Sequence, residues 1–455
     1  MNGSDISGLG NLTVGVDADL AAAMAAIRRN ARGMILIQDN DKRIVGLLTD
    51  GDISNALLKH ENIHAQVIDH MNKDFVWVLE GASKEHTLKL LDARIRAIPV
   101  LDAERRLVTL VSAGYLEPRN EIFSRAKAPT RISLAGGGTD FTEYFVRHGG
   151  VSLSATIAKH SHAVLRRRHD DRIVFHSDTQ KEPIRIGSLN EISYDGNFDI
   201  FKAAVRVMKP DFGFELWVHS DYPSGSGLGG SATVLSAVIG CLNVFRSDPL
   251  DNYHIAEHAF EAERIELSIS GGWQDQYSTV FGGFNFMEFS KNQNIVTPLR
   301  IGDITLNELE ERFLLCFTGS THLGETIQAG NRERAPDDPS VVSFANDIKD
   351  IAMEMKSHLT RGSLGEFGRM LDATWRLKKQ FNPLVTSEEI DLIYDTAINS
   401  GAEGGRLLGT GGGGYFLFFV KPFERNRVAS ALRSLGLSTD SLIFDNQGLQ
   451  SWAAR

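Results

Sequence analysis

Apolar and polar positions along the chain alternate with two periods, and the order in which they do so outlines the architecture. Over residues 17–30, Leu20, Met24 and Ile27 fall on one helical face behind Asp17, a candidate N-cap. Two short apolar runs follow, Met34-Ile35-Leu36-Ile37 and Ile44-Val45-Gly46-Leu47-Leu48, and predict strands joined by the turn Asp39-Asn40-Asp41-Lys42. Thr49-Asp50-Gly51-Asp52 then caps a predicted helix over 53–59. The same order returns: a helix near 84–92, the strand Ala97-Ile98-Pro99-Val100-Leu101, a turn at Asp102, and a strand over 107–111. A repeat of about 60 residues implies two copies of one small α/β unit packed together. Residues 117–127 are polar and contain Pro118, so a domain boundary is expected there.

Beyond that boundary the pattern is punctuated by glycine. A strand through Ile132 and Leu134 ends in Gly136-Gly137-Gly138, followed at once by Thr139 and Asp140. With Arg131 five residues before the glycines, this suggests a polar pocket for hydroxyl groups. Alternation at Phe214, Leu216 and Val218 predicts a strand that Pro223 stops. Four glycines (Gly225, Gly227, Gly229, Gly230) lie within the next positions, and from Ser231 the chain is Ala-rich and continuously apolar, as a buried helix would be. Glycines at such a turn let backbone N–H groups close on a ligand, and the helix N-terminus adds positive potential, so the natural occupant is a polyphosphate. Although Gly225-x-Gly227-x-x-Gly230 has the spacing of a dinucleotide fingerprint, the helix runs into Arg246-Ser247-Asp248-Pro249 instead of a second strand with an acidic end. No Gly-Lys-Ser/Thr follows, which excludes a Walker A loop.

A helix is predicted over 257–269, carrying Glu263 with Glu261 and Glu266 each within about one turn of it. Ser270-Gly271-Gly272 breaks it, and Asp275 opens the next apolar-faced segment, where it has the position of a helix cap. Strands are predicted over 313–317 and 415–420. The second follows Gly409-Thr410-Gly411-Gly412-Gly413-Gly414, a run suited to backbone packed closely against another part of a site.

Composition narrows the class. The 455 residues allow two to three domains, and 42% apolar with 23% charged residues is ordinary for a globular chain. A formal net charge of −10 argues against a nucleic-acid or anionic-membrane surface, so any phosphate site must be local. Cys241 and Cys316 both lie in apolar runs and read as core residues, which fits a reducing cytoplasm. Neither a signal-peptide pattern nor an apolar run of about 18 residues is evident.

The first 118 residues resemble a CBS-domain pair of the type attached to sugar-nucleotide enzymes. Gly46-Leu47-Leu48-Thr49-Asp50-Gly51-Asp52-Ile53, Met71-Asn72 and Ile98-Pro99-Val100 carry the resemblance. It implies that Thr49 and Asp52 contact the phosphate and ribose of an adenine nucleotide. In the second copy Ser112 and Tyr115 stand at those positions, leaving at most one intact nucleotide site. Such pairs commonly associate, so a homodimer is expected, with the pair either sensing nucleotide or serving only in packing.

Residues 122–455 resemble the GHMP kinases through three glycine loops in order: Pro129-x-Arg131 to Asp140, Pro223 to Ala232, and Gly409 to Gly414. Within that family, Arg131 to Phe141, the stretch from His148 to Ile157, and Gly271-Gly272-Trp273-Gln274-Asp275-Gln276-Tyr277 look most like D-glycero-D-manno-heptose 7-phosphate kinases. The implied fold is mixed α/β and α+β: an N-terminal α/β domain (122–300) and a ferredoxin-like C-terminal domain (301–455), with the site between them. The implied activity is transfer of a phosphoryl group from ATP to the anomeric hydroxyl of the heptose 7-phosphate. Pro223, Gly225, Ser226, Gly227, Leu228, Gly229, Gly230 and Ser231 would hold ATP, and Ser231 with Glu263 would hold Mg²⁺. Asp275 matches the catalytic base and Arg131 its partner. Gly137, Gly138, Thr139, Asp140, Gly411 and Gly412 would meet the sugar.

This chain departs from the family where a Glu of the first loop is Gly and where Gly230 replaces the first of two serines. His322 stands where related kinases carry Arg, in a segment expected to line the sugar side. For the substrate's 7-phosphate the basic candidates are Arg147, Lys159, Arg166, Lys378 and Lys379, among which the sequence does not choose. A kinase for a free sugar of the fucose or galactose type, and a nucleotide-sensing protein of the same fold without turnover, are the alternatives.

Overall fold

A computed structural model describes residues 12–112 and 123–454, apart from 31, 60–61, 92–94, 96, 179 and 321–335. Its internal contacts divide the chain into Met1–Asn120 and Glu121–Arg455. Tyr115 and His322 lie outside the described residues, as does the side chain of Ser112.

In the first unit each repeat builds a three-stranded sheet. The first comprises Thr13–Gly15, Met34–Gln38 and Ile44–Thr49; the second Val78–Leu79, Ala97–Leu101 and Leu107–Ser112. In both, the outer short strand pairs parallel and the other two pair antiparallel, as expected for two copies of one unit. Leu20, Ala23 and Ile27 of the helix Leu20–Asn30 pack on Ile35, Ile37, Leu48 and Ile53. Asp19 rather than Asp17 caps that helix, its Oδ1 accepting from the N–H of Ala22 at 2.8 Å. The repeats share a small core of Met34, Leu36, Ile44, Phe75 and Leu101.

The second unit is built on an eight-stranded sheet and a four-stranded sheet. The long strands Phe123–Ala135 and Gly150–Arg167 pair antiparallel along most of their length and form the spine of the larger sheet. The first already includes residues 123–127, which composition alone had placed in the linker. Against this sheet lies the helix Gly230–Asn243, buried throughout from Ala232 to Asn243 except Val234, so its uniform apolarity reflects coverage on all sides. Both cysteines are buried. In the smaller sheet the strands run Ala402–Leu407, Tyr415–Val420, Phe313–Phe317 and Ser438–Ser441, all antiparallel. Read in chain order, that arrangement is the ferredoxin-like order with helices packed on it. Apolar residues of both sheets, among them Ile132, Leu134, Phe313, Leu315 and Leu417, form one continuous core. The closing strand Gln450–Ala454 returns to pair with Phe123–Ala135, so the C-terminal segment contributes to both sheets. No helix among the described residues is long and apolar enough to cross a membrane.

Candidate active site

Three loops meet where the two sheets of the second unit join. Gly227 and Gly229 have φ of 79° and 76°, the left-handed region that favours glycine. A Cβ at Gly227 would stand 2.7 Å from the carbonyl of Leu408, and one at Gly409 would stand 2.6 Å from the Gly227 Cα. Tyr415 donates its N–H to the carbonyl of Ser226 at 3.0 Å. The C-terminal glycine run therefore packs backbone to backbone against the loop before the helix Gly230–Asn243. Gly411 and Gly412 are turned elsewhere: the first packs on Val385 and the second donates to its carbonyl at 2.9 Å.

Arg131, buried on its strand, ties the loops together. Its Nε and Nη2 donate to Asp275 Oδ1 and Oδ2 at 2.8 and 2.9 Å, a bidentate pair. Its Nη1 donates to the carbonyl of Gly227 at 2.7 Å. Asp275 stands in the first turn of the helix Gln274–Phe281. That helix is capped from a distance by Asp140, whose Oδ2 accepts from the N–H of Gln274 and whose Oδ1 accepts from Gly138, both at 3.1 Å. Gly271 and Gly272 make this approach feasible, since a Cβ at Gly272 would lie 1.9 Å from Asp140 Oδ2 and one at Gly271 2.2 Å from Arg264 Nη2. Burial raises the Asp140 carboxyl above the usual carboxylate range, and the charge of Asp275 adds to the effect. Thr139 turns away from the cavity, its hydroxyl donating to the carbonyls of Gly136 and Val151.

The helix expected over 257–269 changes character at its centre. An α-helix, Asn252–Phe260, passes into a π-helical turn, Glu261–Glu266, which directs Glu263 inward and leaves Glu261 outside. Glu263 is buried and accepts from Gln276 Nε2 at 2.6 Å, with Arg264 Nη2 at 3.4 Å. Burial pushes its carboxyl pKa up, while the charge of Arg264 opposes the shift. The Oγ of Ser231 and that of Ser226 are buried without a hydrogen bond among the described residues. An unpartnered hydroxyl beside a buried carboxylate is a pair of hard oxygen donors, the chemistry Mg²⁺ selects.

Arg131, Gly137, Gly138, Asp140 and Asp275 line a cavity of about 600 Å³. Across from them are residues that the motifs did not mark: Phe344, Lys378, Phe381 and Arg406. Lys378 is partly buried, donates to the Gly409 carbonyl at 2.6 Å, and is held well below the usual lysine range by desolvation, with Arg406 and Arg131 adding to it. Burial, helped by Arg131, brings the Arg406 guanidinium down to about 10.

Comparison with known proteins places the chain in a family. Residues 199–283 match the GHMP kinases N terminal domain, 355–436 match GHMP kinases C terminal, and 9–59 and 66–114 match the CBS domain. The D-glycero-alpha-D-manno-heptose 7-phosphate kinase of Campylobacter jejuni is 39% identical over 334 residues, 72% of this chain and 98% of that protein. The chain belongs to the GHMP kinase family and carries an N-terminal CBS pair. The L-fucokinase/L-fucose-1-P guanylyltransferase of Bacteroides fragilis is 29% identical over 73% of this chain but only 40% of that protein. A crystal structure of a D-glycero-D-manno-heptose 1-phosphate kinase from Bacteriodes thetaiotaomicron superposes with a TM-score of 0.62 at 30% identity, covering 73% of this chain and 99% of that one.

Proposed function

We propose that this chain is an ATP-dependent kinase that phosphorylates the anomeric hydroxyl of D-glycero-D-manno-heptose 7-phosphate, giving the 1,7-bisphosphate. The observation that carries the reading is the bidentate Arg131–Asp275 pair, buried at the cavity wall and linked to the glycine loop through the carbonyl of Gly227. The likeness to the Campylobacter jejuni heptose 7-phosphate kinase, along nearly all of that protein, supports the acceptor.

In this reading the N–H groups of residues 225–231 hold the ATP phosphates at the N-terminus of the helix Gly230–Asn243. Asp275 accepts the proton of the anomeric hydroxyl as its oxygen bonds to the γ-phosphorus and the bond to the bridging β,γ oxygen breaks. Arg131 fixes the rotamer of Asp275 and places positive charge beside the transferred group. Anomeric hydroxyls ionise more readily than ordinary alcohols, so a strongly basic Asp275 is not required. Ser231 Oγ and Glu263 would hold Mg²⁺, which when bound neutralises phosphate charge. Asp140 keeps lone pairs free for sugar hydroxyls, and donation from them would favour its ionised form.

The CBS pair would bind an adenine nucleotide at Thr49 and Asp52. Here these residues satisfy each other as a capping box: Thr49 N–H and Oγ1 donate to Asp52 Oδ2 at 2.9 and 2.7 Å, and Asp52 N–H donates to Thr49 Oγ1.

The test is ADP release with Mg²⁺ and heptose 7-phosphate against free fucose, galactose and mannose. The proposal expects heptose-dependent turnover that Asp275→Asn abolishes. Turnover on a free sugar alone would overturn the acceptor, and binding of adenine nucleotide with no turnover on any sugar would overturn the kinase.

A further inference from the structure

Five basic residues were candidates for contact with a phosphate on the acceptor, and the structure separates them. Arg147 pairs with Asp337, Lys159 with Asp440 at 2.9 Å, Arg166 with Glu215 at 2.5 Å, and Lys379 with Asp391 at 2.9 Å. None of these four lines the cavity, and each already has its countercharge. Lys378 is different. It lines the cavity and, among the described residues, its only hydrogen bond is to a carbonyl.

Arg406 stands with it, only 6% exposed, on a strand whose sequence, Ala402 to Leu407, gives no sign of a functional side chain. Its Nη1 donates to the Leu134 carbonyl at 3.0 Å, and its Nε has no hydrogen-bond partner among the described residues. Ser133, also on the cavity wall, has a buried hydroxyl in the same condition. A buried and a partly buried cation, with no carboxylate partner among the described residues, are costly for a fold to keep side by side, because their desolvation is compensated only by carbonyl dipoles. An anion in the cavity would compensate both and satisfy the orphaned Nε and hydroxyl. Residues 223–231 are absent from the cavity wall, so the loop assigned to ATP lies to one side while Lys378 and Arg406 face the acceptor space. Gly137 packs closely on the Ser133 hydroxyl, where a Cβ would come within 3.2 Å of it.

We propose that Lys378 and Arg406, with the Ser133 hydroxyl, form the site that holds the phosphate already carried by the sugar acceptor. The inference rests on the acceptor being a sugar phosphate, and it names the residues that select it over a free sugar.

The test uses the full-length protein with Lys378→Met, Arg406→Gln and Arg406→Lys. Turnover is measured with heptose 7-phosphate and with unphosphorylated heptose, and heptose 7-phosphate binding without ATP is measured by calorimetry. Losing one charge-assisted contact is expected to lower kcat/KM for heptose 7-phosphate about 100-fold, mainly through KM. The unphosphorylated sugar should change by less than about threefold, KM for ATP should hold, and Arg406→Lys should recover part of the loss. Lys378→Met removes a partly buried charge that has no carboxylate partner among the described residues, so its ligand-free Tm should equal or exceed that of the wild type; a low Tm would refer its defect to folding, and Arg406→Lys then decides. Equal losses on both acceptors would overturn the assignment in favour of contact with the transferred phosphoryl group, and no loss on either would overturn it outright. Should the wild type bind heptose 7-phosphate through these residues without releasing ADP, the site stands and the acceptor reading falls. If it binds none, both fall.

Discussion

Replacing Arg131 by lysine keeps the charge and removes the geometry. The guanidinium makes three short bonds, two to Asp275 and one to the Gly227 carbonyl, and its side chain is 5% exposed against 20% for Asp275. An ammonium on a flexible stem can keep one of the three, so two charge-assisted bonds are lost. Each contributes about 1.5–3 kcal/mol where water is excluded, and part of the loss will appear in folding rather than in the barrier. A barrier increase of about 3–4 kcal/mol follows, or a factor of about 10²–10³ in kcat/KM. Steady-state ADP release at saturating ATP should be measured for Arg131→Lys, Asp275→Asn and the double variant. Because the arginine is held to act through Asp275, the double variant should lie within about threefold of Asp275→Asn. Single-variant activity within about fivefold of wild type, or losses that multiply in the double variant, would refute the reasoning.

Three further outcomes are expected. Glu263→Gln removes the buried carboxylate beside Ser231, so the Mg²⁺ concentration for half-maximal rate should rise at least about tenfold; an unaltered Mg²⁺ titration would remove Glu263 from the metal site. Lys378 is held below its ordinary value of 10.5, so between its folded value and 10.5 the unfolded chain binds a proton that the ligand-free fold does not. Stability should therefore rise with pH in that window by up to about 1.4 kcal/mol per unit, and urea midpoints at several pH values should show that slope missing in Lys378→Met. Thr49→Ala removes the cap of the helix Asp50–Leu58 at a cost of about 1 kcal/mol and should abolish binding of AMP by calorimetry; retained AMP binding would show that Thr49 makes no nucleotide contact.

Much of this site can be read in the sequence because glycine marks backbone constraints directly. The close approach of Gly227 to Gly409 and the passage of Asp140 beside Gly272 exist only where no Cβ intervenes, and those glycines stand out in the chain. Other features leave weaker marks. The π turn over Glu261–Glu266 changes which glutamate faces inward without interrupting the apolar spacing, so the periodicity reads as a plain helix. Thr139 sits between two cavity residues yet faces the Gly136 and Val151 carbonyls, because adjacent residues of a tight turn point in different directions. Arg406 was missed: between Gly405 and Leu407 it looks like a strand residue with its charge in solvent, and only the packing of the smaller sheet against the strand Phe123–Ala135 encloses it. Lys378 and Lys379 are indistinguishable as a dipeptide, and the helical turn between them sends one to the cavity and the other to Asp391.

In the proposed reaction the cavity holding Asp275 directs a phosphoryl group from ATP onto a sugar that already bears one. Phosphorus NMR of the full-length protein with ATP, Mg²⁺ and heptose 7-phosphate reads this directly. A second sugar-bound resonance coupled to the anomeric proton, growing as γ-phosphate declines and absent with Asp275→Asn, is the predicted result. Release of free phosphate with the heptose unchanged, or a second resonance that survives in Asp275→Asn, would contradict it.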